Sequence, residues 1–266
     1  MSEAVKIIEG KTKIVYPALH DANQVFIESK DTITAGDGAR ADELPNKGRL
    51  ATLTTSNVFK LLLQHGIDSH FIGQVSPRRF RAEKMDMIPL EVVSRRYAYG
   101  SYLQRNPAME EGQDLGFLAV ELFAKDDSLH DPLVRHDHCS GMITFYDAHQ
   151  AQGRDSVFQK DLIERSRYGV SEAELHEITE LATSTFEVLE TAWEEQGYML
   201  VDMKIECGRN SDGRIIIGDV IDNDSWRLWR HGDVSQMVDK QLYRMGRPLD
   251  EVAQAYHEVA EATAQF

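Results

Sequence analysis

Apolar positions along the chain fall into patches whose spacing predicts the local structure. Val5, Ile7 and Ile8, then Ile14-Val15-Tyr16, flank Glu9-Gly10-Lys11-Thr12-Lys13, which predicts two short strands joined by a glycine-containing turn. Val25-Phe26-Ile27 predicts a third strand, and the small and charged residues from Thr34 to Arg40 predict a loop. Over 49–65, Leu50, Leu53, Leu61 and Leu62 recur at helical spacing, with Gly66 as a C-terminal stop. Phe71 to Val75 and Ile88 to Val93 predict further strands, joined through the charged stretch RRFRAEKMD at 78–86. The middle, 106–170, is rich in Asp, His and Gly and predicts irregular structure.

A strong helix signal follows. Ser171 and Glu174 have the spacing of a capping box, and Leu175, Ile178, Ala182, Phe186, Leu189 and Trp193 then form one apolar stripe that Gly197 ends. Tyr198 to Glu206 and Arg214 to Val220 predict strands around the hairpin signal Asn210-Ser211-Asp212-Gly213. From Leu249, the positions Val252, Ala255, Tyr256 and Val259 predict a final helix. Strands first, then mixed helices and strands, predict an α+β architecture.

Composition narrows the partners. The chain has 266 residues, is 42% hydrophobic and 27% charged, and carries a formal net charge of −15. That acidity argues against a nucleic-acid backbone as partner while allowing small phosphorylated substrates in a local basic cleft. No apolar run approaches the ~18 residues of a membrane span. The first residues lack a secretion signal, and Cys139 and Cys207 lie too far apart for a paired motif, so a reducing, cytoplasmic setting is expected. The crowded His130, Asp131, His136, Asp137, His138 and Cys139 read as a polar surface loop rather than a zinc site.

On a strand through 200–206, side-chain alternation places Asp202, Lys204 and Glu206 on one face and Val201, Met203 and Ile205 on the other. Two carboxylates flanking an ammonium suit a metal–phosphate site, and equally an ion-pair ladder facing solvent. Asp219 lies across the hairpin. Its parity groups it with Ile215 and Ile217, so reaching the same site calls for a bulge near Gly218. The positive exception to the acidic background is Ser94-Arg95-Arg96 followed by Gly100-Ser101, where arginine forks, a hydroxyl and an accessible backbone can meet a phosphate.

These segments also carry a family resemblance. EGKTKIVY at 9–16, TAGDGAR at 34–40, MIPLEVVSRRYAYGS at 87–101, KDDSLHDP at 125–132, LVDMKIECG at 200–208 and DVIDNDSWRLW at 219–229 resemble, in order, the SAICAR synthetase family of purine biosynthesis. Lys240-Gln241 with Tyr243-Arg244 matches as well.

The resemblance implies an ATP-grasp-like two-lobed fold. A small N-terminal antiparallel sheet lobe that binds ATP would occupy 1–88, and a larger α/β lobe with the nucleotide and metal site 89–266. It implies ATP and Mg²⁺ as cofactors, and condensation of carboxyaminoimidazole ribonucleotide (CAIR) with L-aspartate through an acyl phosphate. The partners would then be small molecules, with no nucleic acid, no membrane, and a homo-oligomer left open.

Residue by residue, the resemblance places Gly10, Lys11, Lys13 and Lys204 on the ATP phosphates, with Met87 and Glu91 beside the adenine. Glu206 and Asp219 would hold the metal. Arg95, Ser101, Arg227 and Arg244 would face the ribonucleotide, and Asp37 and Arg40 the acceptor carboxylate and amino acid. Lys204 and Arg227 would act at the reacting centre, with Asp202 orienting them. Tyr99, Ser94, Thr52, Leu118-Ala119 and Cys207 depart from the family pattern on the substrate side. They raise the alternative of a diverged paralogue in specialised metabolism joining a related azole carboxylate to an amine; a non-catalytic nucleotide-binding regulator would lack Lys204, Glu206 or Asp219, and all three are present.

Overall fold

The computed structural model describes residues 5–36, 38–137, 139–151, 157–162 and 169–266. Two sheets with antiparallel ladders organise them. The first runs β1 (Ile8–Glu9), β2 (Lys13–Pro17), β3 (Gln24–Ser29), β7 (Arg79–Glu83) and β6 (Phe71–Ser76), in that spatial order. A separate hairpin, β4 (Thr32–Ala35) with β5 (Arg40–Glu43), leads into helix α1 (Lys47–Gln64).

The second sheet orders β12 (Val157–Leu162), β11 (Met142–Tyr146), β10 (Leu133–Asp137), β9 (Asp114–Ala124), β8 (Asp86–Tyr97), β13 (Tyr198–Arg209) and β14 (Ile215–Gly218). β15 (Trp226–Arg230) also pairs with β13. The remaining helices are α2 (Ser101–Arg105), α3 (Glu172–Glu195), α4 (Gln241–Arg244) and α5 (Leu249–Thr263). No helix among the described residues is long and apolar enough to cross a membrane.

The long helices follow their patterns. Ser171 Oγ accepts the Glu174 N–H, and the Glu174 carboxylate accepts the Ser171 N–H, so the capping box is complete at the start of α3. The α3 stripe is buried from Leu175 to Trp193, and Trp193 meets Trp226, Tyr198 and Phe266 edge-on at centroid distances of 5.1, 5.5 and 4.9 Å. α5 buries Val252, Ala255, Tyr256 and Val259, as its spacing predicts. With α1, it encloses a second core containing Leu44, Leu50 and Tyr243.

Elsewhere the chain departs from its sequence pattern. The expected first strand over residues 5–8 is reduced to β1, because Val5, Ile7 and Ile8 find no cover and stay exposed. The loop expected from Thr34 to Arg40 is the turn of the β4–β5 hairpin. RRFRAEKMD contains β7: Phe80 and Ala82 point inward while Arg81 between them faces out, a period of two hidden by the charges.

The stretch expected to be irregular over 106–170 contributes β9, β10, β11 and β12. In β9, the inward position that an apolar residue would have marked is Glu121, buried against Arg105 through two contacts of 2.7 Å. The available signal was the apolar run Leu118-Ala119-Val120 and Leu122-Phe123-Ala124 on either side of Glu121, set within Asp-, His- and Gly-rich surroundings.

Candidate active site

β13 assembles the site because it has partners on both edges. Opposite β8, Asp202 pairs with Arg95 and Glu206 with Glu91; opposite β15, Asp202 pairs with Arg227; opposite β14, Glu206 pairs with Gly218. Met203 and Ile205 enter the main core, leaving Asp202, Lys204 and Glu206 on the other face. A bulge between Leu200 and Asp202 corrects the expected grouping at one position. Leu200, rather than Val201, joins Met203 and Ile205, and Val201 packs with Tyr99, Trp229 and Met237.

That polar face opens on two adjoining cavities. The larger, about 470 Å³, is bordered by Arg95, Ser101, Asp202 and Arg227. The smaller, about 270 Å³, is bordered by Lys13, Lys47, Glu206, Asp219, Asp222 and Lys240. Glu91, Lys204, Asp224, Ser225 and Arg244 border both. Lys204 is thus the strand's cation at the common wall, where its Nζ donates to Glu91 at 2.5 Å and lies 3.9 Å from Glu206. Burial works against its charge, but Glu91, Glu206 and Asp219 raise its pKa above the ordinary lysine value, so it stands there as an ammonium.

Asp219 reaches the smaller cavity, but without the expected bulge. β14 ends at Gly218 in regular register, and Asp219 then takes a left-handed backbone with φ 57°. Aspartate tolerates that conformation, and it breaks the parity shared with Ile215 and Ile217. The Asp219 carboxylate pairs with Lys13 of β2, and its carbonyl accepts from His70 Nε2 at 2.7 Å. Burial pushes the Asp219 pKa up, yet Lys13, Lys204 and Lys125 bring it below the ordinary value. Glu206 accepts from Lys125 at 2.7 Å.

In the larger cavity Asp202 pairs with both Arg95 and Arg227, and Arg95 Nε lies 3.5 Å from Glu121. Ser101 opens α2 directly after Gly100, whose φ of 59° turns the chain.

Other expected residues stand outside both cavities. Gly10 forms the exposed β1–β2 turn, its N–H donating to Lys13 at 2.9 Å. The Lys11 side chain runs beside Gly38, where an added Cβ would lie 3.4 Å from its Cε. Arg40 stacks on the Tyr243 ring at 4.0 Å and donates to the Tyr243 carbonyl at 3.0 Å. Met87 lies against Gly218, its Sδ 3.0 Å from where a Cβ would sit. Asp37 lies outside the described residues.

A second charged cluster escaped the sequence reading. Lys47 is buried at the first position of α1, with its Nζ 3.2 Å from Asp224; Lys240 reaches the same carboxylate at 3.1 Å, and the Tyr256 hydroxyl also donates to it. Burial opposes ionisation of Asp224, but Lys47 and Lys240 hold its pKa well below the usual range, while burial and Asp224 raise that of Asp222. The available signal was a lysine in the first turn of a helix, where the macrodipole disfavours a cation unless a local anion compensates.

The family departures pack away from the cavities. Tyr99 meets Trp229 edge-on, Ser94 donates to the Ala182 carbonyl of α3 at 3.4 Å, and Thr52 donates to Ser29 at 3.0 Å. Cys207 is a core thiol whose pKa burial pushes up to about 12.

Known proteins share this arrangement. The SAICAR synthetase family model matches residues 6–263. A phosphoribosylaminoimidazole-succinocarboxamide synthase of Herpetosiphon aurantiacus is 39% identical over 271 residues, covering 100% of both chains. A bifunctional phosphoribosylaminoimidazole carboxylase/phosphoribosylaminoimidazole succinocarboxamide synthetase of Drosophila melanogaster is 39% identical over 265 residues, covering 98% of this chain and 57% of its own. A solved SAICAR synthetase (Type-2) in complex with ADP matches with a TM-score of 0.81 at 32% identity, covering 97% of each chain. Family model, full-length relatives and solved fold agree, and the chain belongs to the SAICAR synthetase family.

Proposed function

We propose that the chain is an ATP-dependent carbon–nitrogen ligase that condenses CAIR with L-aspartate to give SAICAR, ADP and phosphate. One observation carries the assignment of roles: Lys204 stands on the wall common to two polar cavities, with arginines beyond it on one side and Lys13, Glu206 and Asp219 on the other. Such a wall suits a phosphoryl group passing from a nucleotide in one cavity to a carboxylate in the other. In this reading 1–88 forms the ATP-binding sheet lobe and 89–266 the larger α/β lobe of an ATP-grasp-like pair.

The chemistry requires an activated carboxylate, because an amine cannot expel oxide. A CAIR carboxylate oxygen attacks the γ-phosphorus, the bond to the bridging oxygen breaks, and ADP leaves. The aspartate amine, having given up its ammonium proton, attacks the resulting acyl carbon. The C–N bond forms, the C–O bond breaks, and phosphate departs with the electron pair. Positioning and charge neutralisation supply most of the acceleration in phosphoryl transfer.

Lys204, held as an ammonium by Glu91 and Glu206, neutralises charge where transfer occurs. Lys13 meets the triphosphate, with Gly10 and Lys11 forming its turn, and Met87 and Glu91 flank the stretch that passes the adenine, Glu91 at the end that meets Lys204. Arg95, Ser101 and Arg227 hold the ribonucleotide, with Asp202 orienting both arginines. Arg244 borders both cavities, and Asp37 and Arg40 are assigned to the amino acid.

Mg²⁺ fits the donor set. Among the described residues no three His, Cys, Asp or Glu side chains converge as a preformed metal site. Mg²⁺ ordinarily takes one or two carboxylates and completes its shell with phosphates and water, so Glu206 and Asp219 suffice. When bound, it would neutralise the developing charge on the β- and γ-phosphates.

The test is product formation. Purified chain given ATP, CAIR and L-aspartate is expected to release ADP and phosphate in equal amounts with SAICAR. Release of ADP with a different azole carboxylate or amine, and none with this pair, would replace the proposal with the diverged-paralogue reading.

A further inference from the structure

We propose that Tyr99 is a positioning residue for acceptor recognition, acting through Arg227. The inference rests on the reading above, in which Arg227 meets the anionic ribonucleotide in the larger cavity. Tyr99 is buried and does not border that cavity, so it has no direct route to substrate.

Three contacts build a cradle. The Arg227 guanidinium lies over the Tyr99 ring, 5.0 Å from its centroid, within the range of a cation–π contact. Behind it, the Tyr99 ring meets Trp229 edge-to-face at 5.6 Å and 70°, so the aromatic floor is itself braced. Beside it, Gly100 leaves a space that only a missing Cβ provides: a Cβ there would approach Arg227 Nη2 to 2.8 Å. On the remaining side Asp202 takes Arg227 Nη1, while Arg227 Nε is buried without a hydrogen-bond partner among the described residues.

A guanidinium with an unpaired buried donor has lost part of its polar anchoring. Its orientation then depends more on the surface beneath it. The Tyr99 face supplies that surface at low entropic cost, because an aromatic ring has few rotamers to lose. Tyr99, Gly100 and Ser101 thus divide the work along three consecutive residues: floor, clearance and cavity wall.

The test compares Tyr99→Phe, Tyr99→Leu and Tyr99→Ala in steady-state kinetics with CAIR, L-aspartate and ATP. Tyr99→Leu keeps apolar volume without a π-face and guards against a variant that fails to fold. Tyr99→Leu is expected to raise KM for CAIR about tenfold, with kcat and KM for ATP changed less than about threefold. Tyr99→Phe, which keeps the ring face, is expected to restore the wild-type KM. The proposal is overturned if Tyr99→Leu leaves KM for CAIR unchanged, if it raises KM for ATP equally, or if Tyr99→Phe behaves like Tyr99→Leu. Absence of ligation by the unaltered chain would instead refute the proposed function, so the two failures are distinct.

Discussion

Asp202, buried, and Asp224, partly buried, are carboxylates on the walls of the same site, and each is gripped by two cations, but the cations differ. Asp202 takes Arg95 and Arg227, whose planar forks fix direction as well as charge. Asp224 takes Lys47 and Lys240, point charges on flexible stems, together with the Tyr256 hydroxyl. An arginine cannot give up its proton within a protein, whereas a buried lysine can, and burial already lowers the pKa of Lys240. The arginine cluster is therefore built for fixed orientation, on the side proposed to hold the ribonucleotide. In the lysine cluster Lys240 can adjust its charge, on the side where phosphates would come and go, while burial opposes the charge of Lys47 but Asp224 and Asp222 raise its pKa and hold it as an ammonium.

Lys204 lies between the two clusters, and removing it should break the comparison most completely. Lys204→Ala is expected to lower kcat by about a thousandfold, the scale seen when a group aimed at developing charge is lost. Its far-UV circular dichroism and thermal unfolding should stay close to wild type. Unchanged kcat would remove Lys204 from the reacting centre.

Asp202→Asn probes the arginine side. It removes the anion shared by Arg227 and by Arg95, which keeps Glu121 at 3.5 Å, a loss on the order of 3–5 kcal/mol by urea unfolding. Raising the pH should not relieve it, because arginine keeps its charge within a protein. A loss below about 1 kcal/mol would mean that Asp202 does not anchor the pair.

Asp224→Asn sharpens the contrast. The loss is expected to be smaller, about 2 kcal/mol at neutral pH, because a deprotonated lysine needs no anion. With the carboxylate gone, the folded-state pKa of Lys47 and Lys240 falls below their unfolded value near ~10.4. The unfolded chain then binds more protons, so stability rises with pH across the window between the two values. Urea titrations of both variants from pH 7 to about pH 10 should show the Asp224→Asn deficit shrinking while that of Asp202→Asn holds. Parallel deficits would show that the two clusters respond alike.

The same distinction governs what could be read from the sequence. Local rules were legible: the capping box at Ser171, the stripes of α3 and α5, the Asn210–Gly213 hairpin, and the alternation that puts Lys204 and Glu206 on one face. The strands β9 to β12 were not, because they lie in a stretch whose Asp, His and Gly content reads as irregular, although β9 carries apolar residues on both sides of the ion-paired Glu121. Neither was the route of Asp219 into the cavity, which depends on one left-handed backbone angle. The Lys47–Asp224–Lys240 cluster joins residues nearly two hundred positions apart at its extremes, and nothing in the local pattern of any one predicts the others. The family resemblance supplied what periodicity could not, yet it gave no account of Tyr99, whose role emerged only from its neighbours.

The smallest expected effect lies far from both clusters, where a carboxylate is held by one cation at the surface. Glu174 closes the α3 capping box and accepts from Arg209 of β13 at 2.7 Å, tying the helix start to the central strand. Glu174→Gln keeps the capping geometry, since glutamine can still accept the Ser171 N–H, but removes the charge. The pair is partly solvent-exposed and screened, so the loss is expected to be about 1 kcal/mol or less. Arg209 chiefly, with the Ser171 hydrogen bonds, lowers the Glu174 pKa to about 2 from 4.5. A depressed carboxylate stabilises the fold above its unfolded pKa and ceases to do so as pH falls through the folded value. The stability gap between wild type and Glu174→Gln should therefore be whole at pH 5 and narrow as pH falls from 4.5 toward 2. A gap that stays constant on acidification would assign the stabilisation to packing of the Glu174 stem rather than to its charge.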